Sequence, residues 1–241
     1  MKTKAYETLY KVEDKLWWFL TLRNLFDFML KDIRKPLRIL DAGCGTGGNI
    51  KFLEKYGEVY GLDLSEEAIK YNKLRGNIVV KGSINSLPFE DSVFDVVLAS
   101  EVIYHQWVDD SKAVSELYRV LKKRGILLVN TAAYDFMKGR HDEAVMTKKR
   151  YTKNSLKDLL QNNGFKIAKI FYWNSILFPL RLLSVKFNIG NSEESDLAVN
   201  PMINKLLIGL MKIEIAFIKL GFSFPFGLSI MCRAEKIQSK N

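Results

Sequence analysis

Apolar positions along the chain follow two rhythms. From residue 5 to 33, Tyr6, Leu9, Tyr10, Leu16, Phe19, Leu20, Leu22, Phe26, Met29 and Leu30 recur mostly at three- and four-residue intervals, which predicts a helical segment that Pro36 ends. Short apolar runs follow at Leu37–Leu40, Val59–Leu62, Ile78–Val80, Phe94–Ala99 and Ile126–Val129. Amphipathic stretches at 48–56, 65–75 and 110–122 separate them. Strands alternating with helices of this length predict βαβ units and a mostly parallel sheet with right-handed crossovers.

After residue 131 the alternation breaks. Residues 132–151 have few periodic apolar positions and end in the basic run Lys148-Lys149-Arg150-Tyr151. Thr152 has the chemistry of an N-cap for a helix through Leu159 and Leu160, with Asn163-Gly164 as its stop. Phe165–Tyr172 and Leu228–Arg233 read as two further strands, and 174–222 as apolar and irregular. The expected organisation is one α/β domain in six parts. These are an N-terminal helical arm (1–35), a binding core (36–131), a cap insertion (132–151), a core helix and strand (152–173), an apolar helical insertion (174–225), and a last strand and tail (226–241).

Met202–Phe222 has the length of a membrane span, but Lys205, Lys212, Glu214 and Lys219 argue against spanning. Its three lysines recur every seven residues on an otherwise apolar helix. Such a helix suits a membrane interface, a lipid-sized pocket, a dimer seam or ordinary core packing. The apolar segment Ile176–Leu183 adds weight to peripheral membrane contact through 174–222.

The sharpest local signal is the strand Leu37–Leu40 running into Asp41-Ala-Gly-Cys-Gly-Thr-Gly-Gly48 and then a helix. Glycines there permit a tight turn and close approach of a ligand to the backbone. Asp63 ends the next strand, twenty residues past Gly43, where a carboxylate can accept both ribose hydroxyls of an adenosine. Gly43, Gly45 and Gly48 also satisfy G-x-G-x-x-G, so a nicotinamide dinucleotide stays formally open. Asp41 points elsewhere: a carboxylate in the turn opposes a pyrophosphate and suits a cationic group.

Asp41–Gly47, Asp63, Gly82-Ser-Ile-Asn-Ser-Leu-Pro-Phe89 and Phe94-Asp-Val-Val-Leu-Ala-Ser-Glu101 stand in the order and at the spacing of successive motifs of a known family. The chain resembles the class I S-adenosylmethionine-dependent methyltransferases of the type-11 kind, strongly over 36–131 and less specifically over 150–173 and 226–236. The resemblance implies a doubly wound, mostly parallel seven-stranded sheet, a Rossmann-like methyltransferase fold, with S-adenosylmethionine as cofactor. It implies that Asp41 and the turn of Gly43, Cys44 and Gly45 hold the methionine part, and Asp63 the ribose. Leu64 would pack on the adenine, Ser83 and Ile84 would sit at its edge, and Ser100 would lie beneath the methionine. The family often has Asp where this chain has Ser83, and a neutral acceptor binds the adenine amino group less strongly.

Methyl transfer needs the nucleophile aligned behind the methyl group, and a base only when the acceptor is a weak acid. His105 is the one histidine near the expected site, so it is the candidate base, the alternative being a histidine that only shapes its loop. Tyr104 and Trp107 read as pocket walls, and His141 as solvated or substrate-contacting. Trp17-Trp18-Phe19 on the arm suits either the acceptor pocket or core packing. The histidines and the two cysteines, Cys44 and Cys232, form no metal-ligand spacing, and Cys44 reads as a small residue in the turn.

Composition adds location and partner. The 241 residues are 48% hydrophobic and 27% charged, a soluble globular balance, and the N-terminus lacks the apolar run of a signal peptide, so a cytoplasmic location is expected. The net charge of +10 is uneven: residues 36–137 carry −2, 138–169 carry +6 and 202–241 carry +4. Positive charge therefore falls on the expected cap, concerning the acceptor or a membrane surface. The run Lys148–Lys153 suits a phosphate or carboxylate on the acceptor. Nucleic acid ranks last among partners, since no binding module or interleaved aromatics accompany the basic run. The function this supports is methyl transfer to a small-molecule or lipid-like acceptor, with a homodimer also open. The rival readings are a nicotinamide-dependent oxidoreductase and a non-catalytic cofactor-binding protein.

Overall fold

The computed structural model describes residues 3–187 and 200–237, apart from the side chains of residues 3, 4, 140 and 141. The role expected of the His141 side chain lies outside the described part. Helices α1 (Thr3–Val12) and α2 (Trp17–Leu30) precede the alternation β1 (Leu37–Ala42), α3 (Gly48–Leu53), β2 (Gly57–Asp63), α4 (Glu66–Leu74), β3 (Ile78–Lys81), β4 (Phe94–Ser100), α5 (Asp110–Val120) and β5 (Leu121–Ala132). A short α6 (Arg140–Ala144) and α7 (Lys153–Asn162) lead to β6 (Phe165–Trp173). Helices α8 (Phe178–Phe187) and α9 (Pro201–Lys219) then precede β7 (Ser229–Lys236).

The strands form one seven-stranded sheet in the order β3-β2-β1-β4-β5-β7-β6. The first five run parallel, and β7 lies antiparallel between β5 and β6. Strands of a sheet covered on both faces must be apolar on both sides, which is why β1 and β4 read as continuous apolar runs. One face packs α5 and α7 against Leu40, Val97, Leu127 and Val129. The other packs α2, α3 and α9 against Ile39, Val96, Leu98 and Leu128. Chain order reverses between β1 and β4, so a crevice opens beyond their carboxyl ends, the usual ligand site of such sheets.

Helix α7 begins as its sequence predicts: Thr152 Oγ1 accepts from Ser155 N at 3.1 Å and Ser155 Oγ accepts from Thr152 N at 2.9 Å. The N-terminal segment differs from the single helix its periodicity predicts, because it breaks over residues 13–16. Asn204 of α9 causes the break to hold, accepting from Trp17 N at 2.8 Å and donating to Lys15 O at 2.9 Å. The cap of α2 is thus supplied from far along the chain. The described parts of 174–222 are also more regular than the composition predicts. Helix α9 buries Met211, Glu214, Ile215 and Ile218 and packs on α2, leaving its lysines outside. Among the described residues, no helix is long and apolar enough to cross a membrane.

Candidate active site

Asp41 closes β1 at the crevice, almost fully buried at 1% exposure. Neither of its carboxylate oxygens has a hydrogen-bond partner. Burial, with the charges of Asp63 and Glu13 nearby, pushes its pKa up to about 8. A buried polar group left unpaired costs about 1–3 kcal/mol, so the site is built at the expense of the ligand-free fold.

The turn after Asp41 is tight. Gly43 has φ +86°, and a Cβ there would lie 2.5 Å from Val102, so only glycine fits. The N–H groups of Gly43, Cys44, Gly45, Gly47 and Gly48 in the turn are spent on the protein itself. Those of Gly43 and Cys44 donate to Leu62 O at 2.7 and 3.0 Å, and that of Gly47 to Cys44 O at 3.0 Å. Gly45 N donates to Asp63 Oδ2 at 2.9 Å, and Gly48 N to Glu13 Oε2 at 3.3 Å. A pyrophosphate needs free N–H donors at this helix start. Here it would meet occupied donors and carboxylates.

Asp63 also accepts from Ser65 N at 2.9 Å, just before α4. Burial raises its pKa, and these backbone donors oppose the rise. Each carboxylate oxygen has a second lone pair, so two acceptor positions remain for a diol. Leu64 is half exposed beside it. Ile84 is buried, and Ser83 Oγ accepts from Asn85 N at 3.2 Å. Asn85 in turn ties this loop to Trp107 O and Asp109 N at 3.0 and 3.1 Å. Asp41, the glycine turn, Asp63 and Leu64 therefore cluster around the ends of β1 and β2, with Ser100 at the end of β4. Cys44 is buried and its thiol pKa is raised well above the ordinary value by desolvation, which removes it as a nucleophile.

Several residues of the site carry no motif. Glu13 accepts from Thr46 Oγ1 at 2.5 Å and pairs with Arg75 at 2.8 Å. Arg75 also holds Asp14 at 2.9 Å and Thr46 O at 3.0 Å, while Arg23 reaches Asp14 at 3.3 Å. This buried cluster latches the arm onto the turn. The Tyr6 hydroxyl reaches Ser65 beside Asp63, and Leu9 lies over Gly45. Asn72, fully buried on α4, donates to Gly45 O at 2.7 Å and Ala68 O at 2.8 Å. An asparagine at a core position of an amphipathic helix was the available signal for that role.

On the acceptor side, the His105 ring stacks on Trp107 at 4.7 Å, and its Nδ1 is buried without a partner. Desolvation lowers its pKa to about 4, so the imidazole is neutral at pH 7 and a weak base. Glu101 stands closer to β4, in the left-handed backbone region at φ 55°. Its Oε1 accepts from Asn130 Nδ2 at 2.7 Å, and Asn130 Oδ1 accepts from Trp173 Nε1 at 2.9 Å. Burial raises the Glu101 pKa to about 7, opposed by the Tyr104 hydroxyl and Arg150. Strained backbone at a non-glycine residue marks sites where geometry outweighs stability. The basic run is less free than its sequence predicts: Arg150 forms a two-pronged pair with Asp142 at 2.8 and 2.9 Å, and Lys149 pairs with Asp110.

A family profile for a methyltransferase domain matches residues 40–129, the span of this site. A malonyl-[acyl-carrier protein] O-methyltransferase of Enterobacter lignolyticus is 36% identical over 42% of this chain and 41% of its own. A phthiotriol/phenolphthiotriol dimycocerosates methyltransferase of Mycobacterium ulcerans is 38% identical over 38% of this chain and 36% of its own. The chain spans no more than 60% of the length of the first curated relatives it matches. In fold it is similar to a phosphoethanolamine N-methyltransferase of Haemonchus contortus in complex with S-adenosyl-L-methionine, with a TM-score of 0.60 and 20% identity over 92% of this chain and 53% of that one. Sheet order, glycine turn and matched span agree: residues 40–129 match a methyltransferase domain, set in a fold similar to that of a solved methyltransferase with S-adenosyl-L-methionine bound.

Proposed function

We propose that this protein transfers the methyl group of S-adenosylmethionine to a small-molecule or lipid-like acceptor. The observation that carries the reading is the buried, unpartnered carboxylate of Asp41 at the mouth of a turn whose glycine N–H groups are already engaged. That chemistry fits a ligand with cationic centres and no phosphate, and disfavours the nicotinamide dinucleotide. Asp41 and the turn of Gly43, Cys44 and Gly45 would hold the methionine part. Asp63 would take the ribose, Leu64, Ser83 and Ile84 the adenine, and Ser100 would lie under the methionine. When bound, the cofactor supplies an electrophilic methyl group on sulfur.

The protein's own contribution is alignment and proton management. Residues Tyr6 and Leu9 of the arm exclude water over the turn, which favours a positioned, desolvated reaction. A hydroxyl or amine acceptor must lose a proton, and Glu101, with its pKa raised to about 7, is matched to accept it near neutral pH. His105, the candidate from sequence, takes the role of a loop wall in this reading, because a group titrating near 4 has little tendency to take a proton at pH 7. A lipid-like acceptor accords with the apolar helices α8 and α9 at the acceptor end, and the relatives named above include one whose name specifies a dimycocerosate.

The test is transfer of labelled methyl from S-adenosylmethionine into fractionated cell extract, with the product identified by mass. A labelled product in the lipid or small-molecule fraction is expected. Cofactor binding without transfer to any fraction would leave a non-catalytic binding protein and refute the proposal.

A further inference from the structure

Helix α8 buries none of its side chains fully, and Leu180, Leu183 and Phe187 stand exposed along it. Helix α9 buries one face against α2, yet its opposite face is apolar too. Met202, Leu206, Ile213, Phe217 and Leu220 recur there at three- to seven-residue intervals, with Met202 80% and Leu220 85% exposed. A solvated helix normally turns charge outward. Here an apolar row of about 27 Å, at 1.5 Å per residue, faces away from the protein.

The charges frame this row. Lys205, Lys212 and Lys219 are exposed along one edge of α9, each one heptad from the next. Helix α8 adds Arg181 and Lys186. The only acid on either helix is Glu214, which is buried. It accepts from the backbone N–H groups of Ser175 and Ile176 at 3.0 Å, fastening the turn before α8 to α9. Both helices thus present exposed apolar side chains beside basic ones, with no exposed acid on either.

Both helices are tied to elements of the site. Asn204 at the start of α9 clamps the α1–α2 turn, two residues from Glu13 on the glycine loop. At the other end, Phe178 packs on Tyr134 at 5.7 Å and on Phe226 at 4.8 Å. Trp173, which precedes the fastened turn, bonds the asparagine that holds Glu101.

We propose that the outer faces of α8 and α9 seat this protein on an anionic lipid bilayer, apolar row inserted and lysine edge against the headgroups. Charge complementarity supports this occupant: an exposed apolar helix face bordered by lysines, on a helix without an exposed acid, matches anionic interfaces. A second copy of this chain would bring the same lysines face to face across a two-fold axis, which the charge opposes. The proposal does not depend on methyl transfer.

The test is co-sedimentation of the full chain with vesicles of phosphatidylglycerol and phosphatidylcholine in equal parts, and of phosphatidylcholine alone. Binding to the anionic vesicles that weakens with salt is expected. Replacing the three lysines together (Lys205→Glu, Lys212→Glu, Lys219→Glu) should weaken it about a hundredfold or more, at roughly tenfold per 1.4 kcal/mol and about 1 kcal/mol per lysine. Leu206→Ser with Leu220→Ser should weaken binding to both vesicle types. These exposed positions lie outside the cofactor site, so S-adenosylmethionine affinity should stay unchanged in every variant. Equal binding to both vesicle types, no binding, or a dimer in light scattering that the serine variants dissociate would each overturn the proposal.

Discussion

Replacing Asp41 with asparagine should stabilise the ligand-free protein while weakening its hold on S-adenosylmethionine. The carboxyl titrates at about 8 in the fold against 3.8 in a solvated chain. Between those values the folded state keeps a proton that the unfolded state has lost, so stability falls as pH rises, by about 1.4 kcal/mol per unit. At pH 7 that is about three units, or on the order of 4 kcal/mol. Asparagine escapes this cost, but its unpaired amide returns about 1–3 kcal/mol of it. The net gain is about 1–3 kcal/mol, which for a chain of this size raises Tm by roughly 2–12 °C. Binding should move the other way. Losing a hydrogen bond to a charged partner costs about 1.5–3 kcal/mol, some 10- to 150-fold in affinity. Calorimetry adds a second signature, because ionising Asp41 is a condition of binding the cation. Wild-type affinity should tighten up to about tenfold from pH 6 to 7, and the asparagine variant should be flat over that range. A variant that melts lower than wild type and binds the cofactor as tightly would refute the reasoning.

Three further outcomes follow from the same geometry. Glu101→Gln should lower kcat by about 10²- to 10⁴-fold while leaving the Kd of S-adenosylmethionine unchanged, and wild-type activity should fall as pH drops below about 7, where Glu101 takes up its proton. His105→Asn should leave that pH profile in place, and loss of the inflection would return the base role to His105. Glu13→Gln leaves Arg75 and the partly unpaired Arg23 with less compensation, so thermal unfolding should show a loss of about 1–3 kcal/mol and limited proteolysis should cut the arm sooner.

Much of the fold was legible because the chemistry that carried it is local. Strands covered on both faces are largely apolar, so central strands such as β4 and β5 showed as runs, while the edge strands β3 and β6 showed through their β-branched and aromatic residues. The glycine turn and Asp63 were visible for the same reason: tight backbone and a strand-end carboxylate leave fixed residues at fixed spacings. What the sequence hid depends on distant partners. The break before α2 is held by Asn204, some 190 residues away, and no periodicity in residues 5–33 could register it. Glu13, Asn72 and Arg75 belong to the site only because the arm and α4 fold against the turn. The difference between His105 and Glu101 is one of burial: an unperturbed imidazole is the better base at pH 7, and desolvation reverses the order. The lysine heptad was legible as a stripe, but which face of α9 met the core was decided by α2.

The central claim is that a cationic, phosphate-free adenosine cofactor occupies the turn between Asp41 and Asp63, and isothermal titration of the purified protein tests it most directly. S-adenosylmethionine and S-adenosylhomocysteine should each bind one per chain. Asp63→Ala should abolish that binding, and so should Gly45→Val, whose branched side chain would be strained at φ +54°. NADH should give no heat. Binding of NADH, or no binding of either adenosyl ligand, would contradict the account.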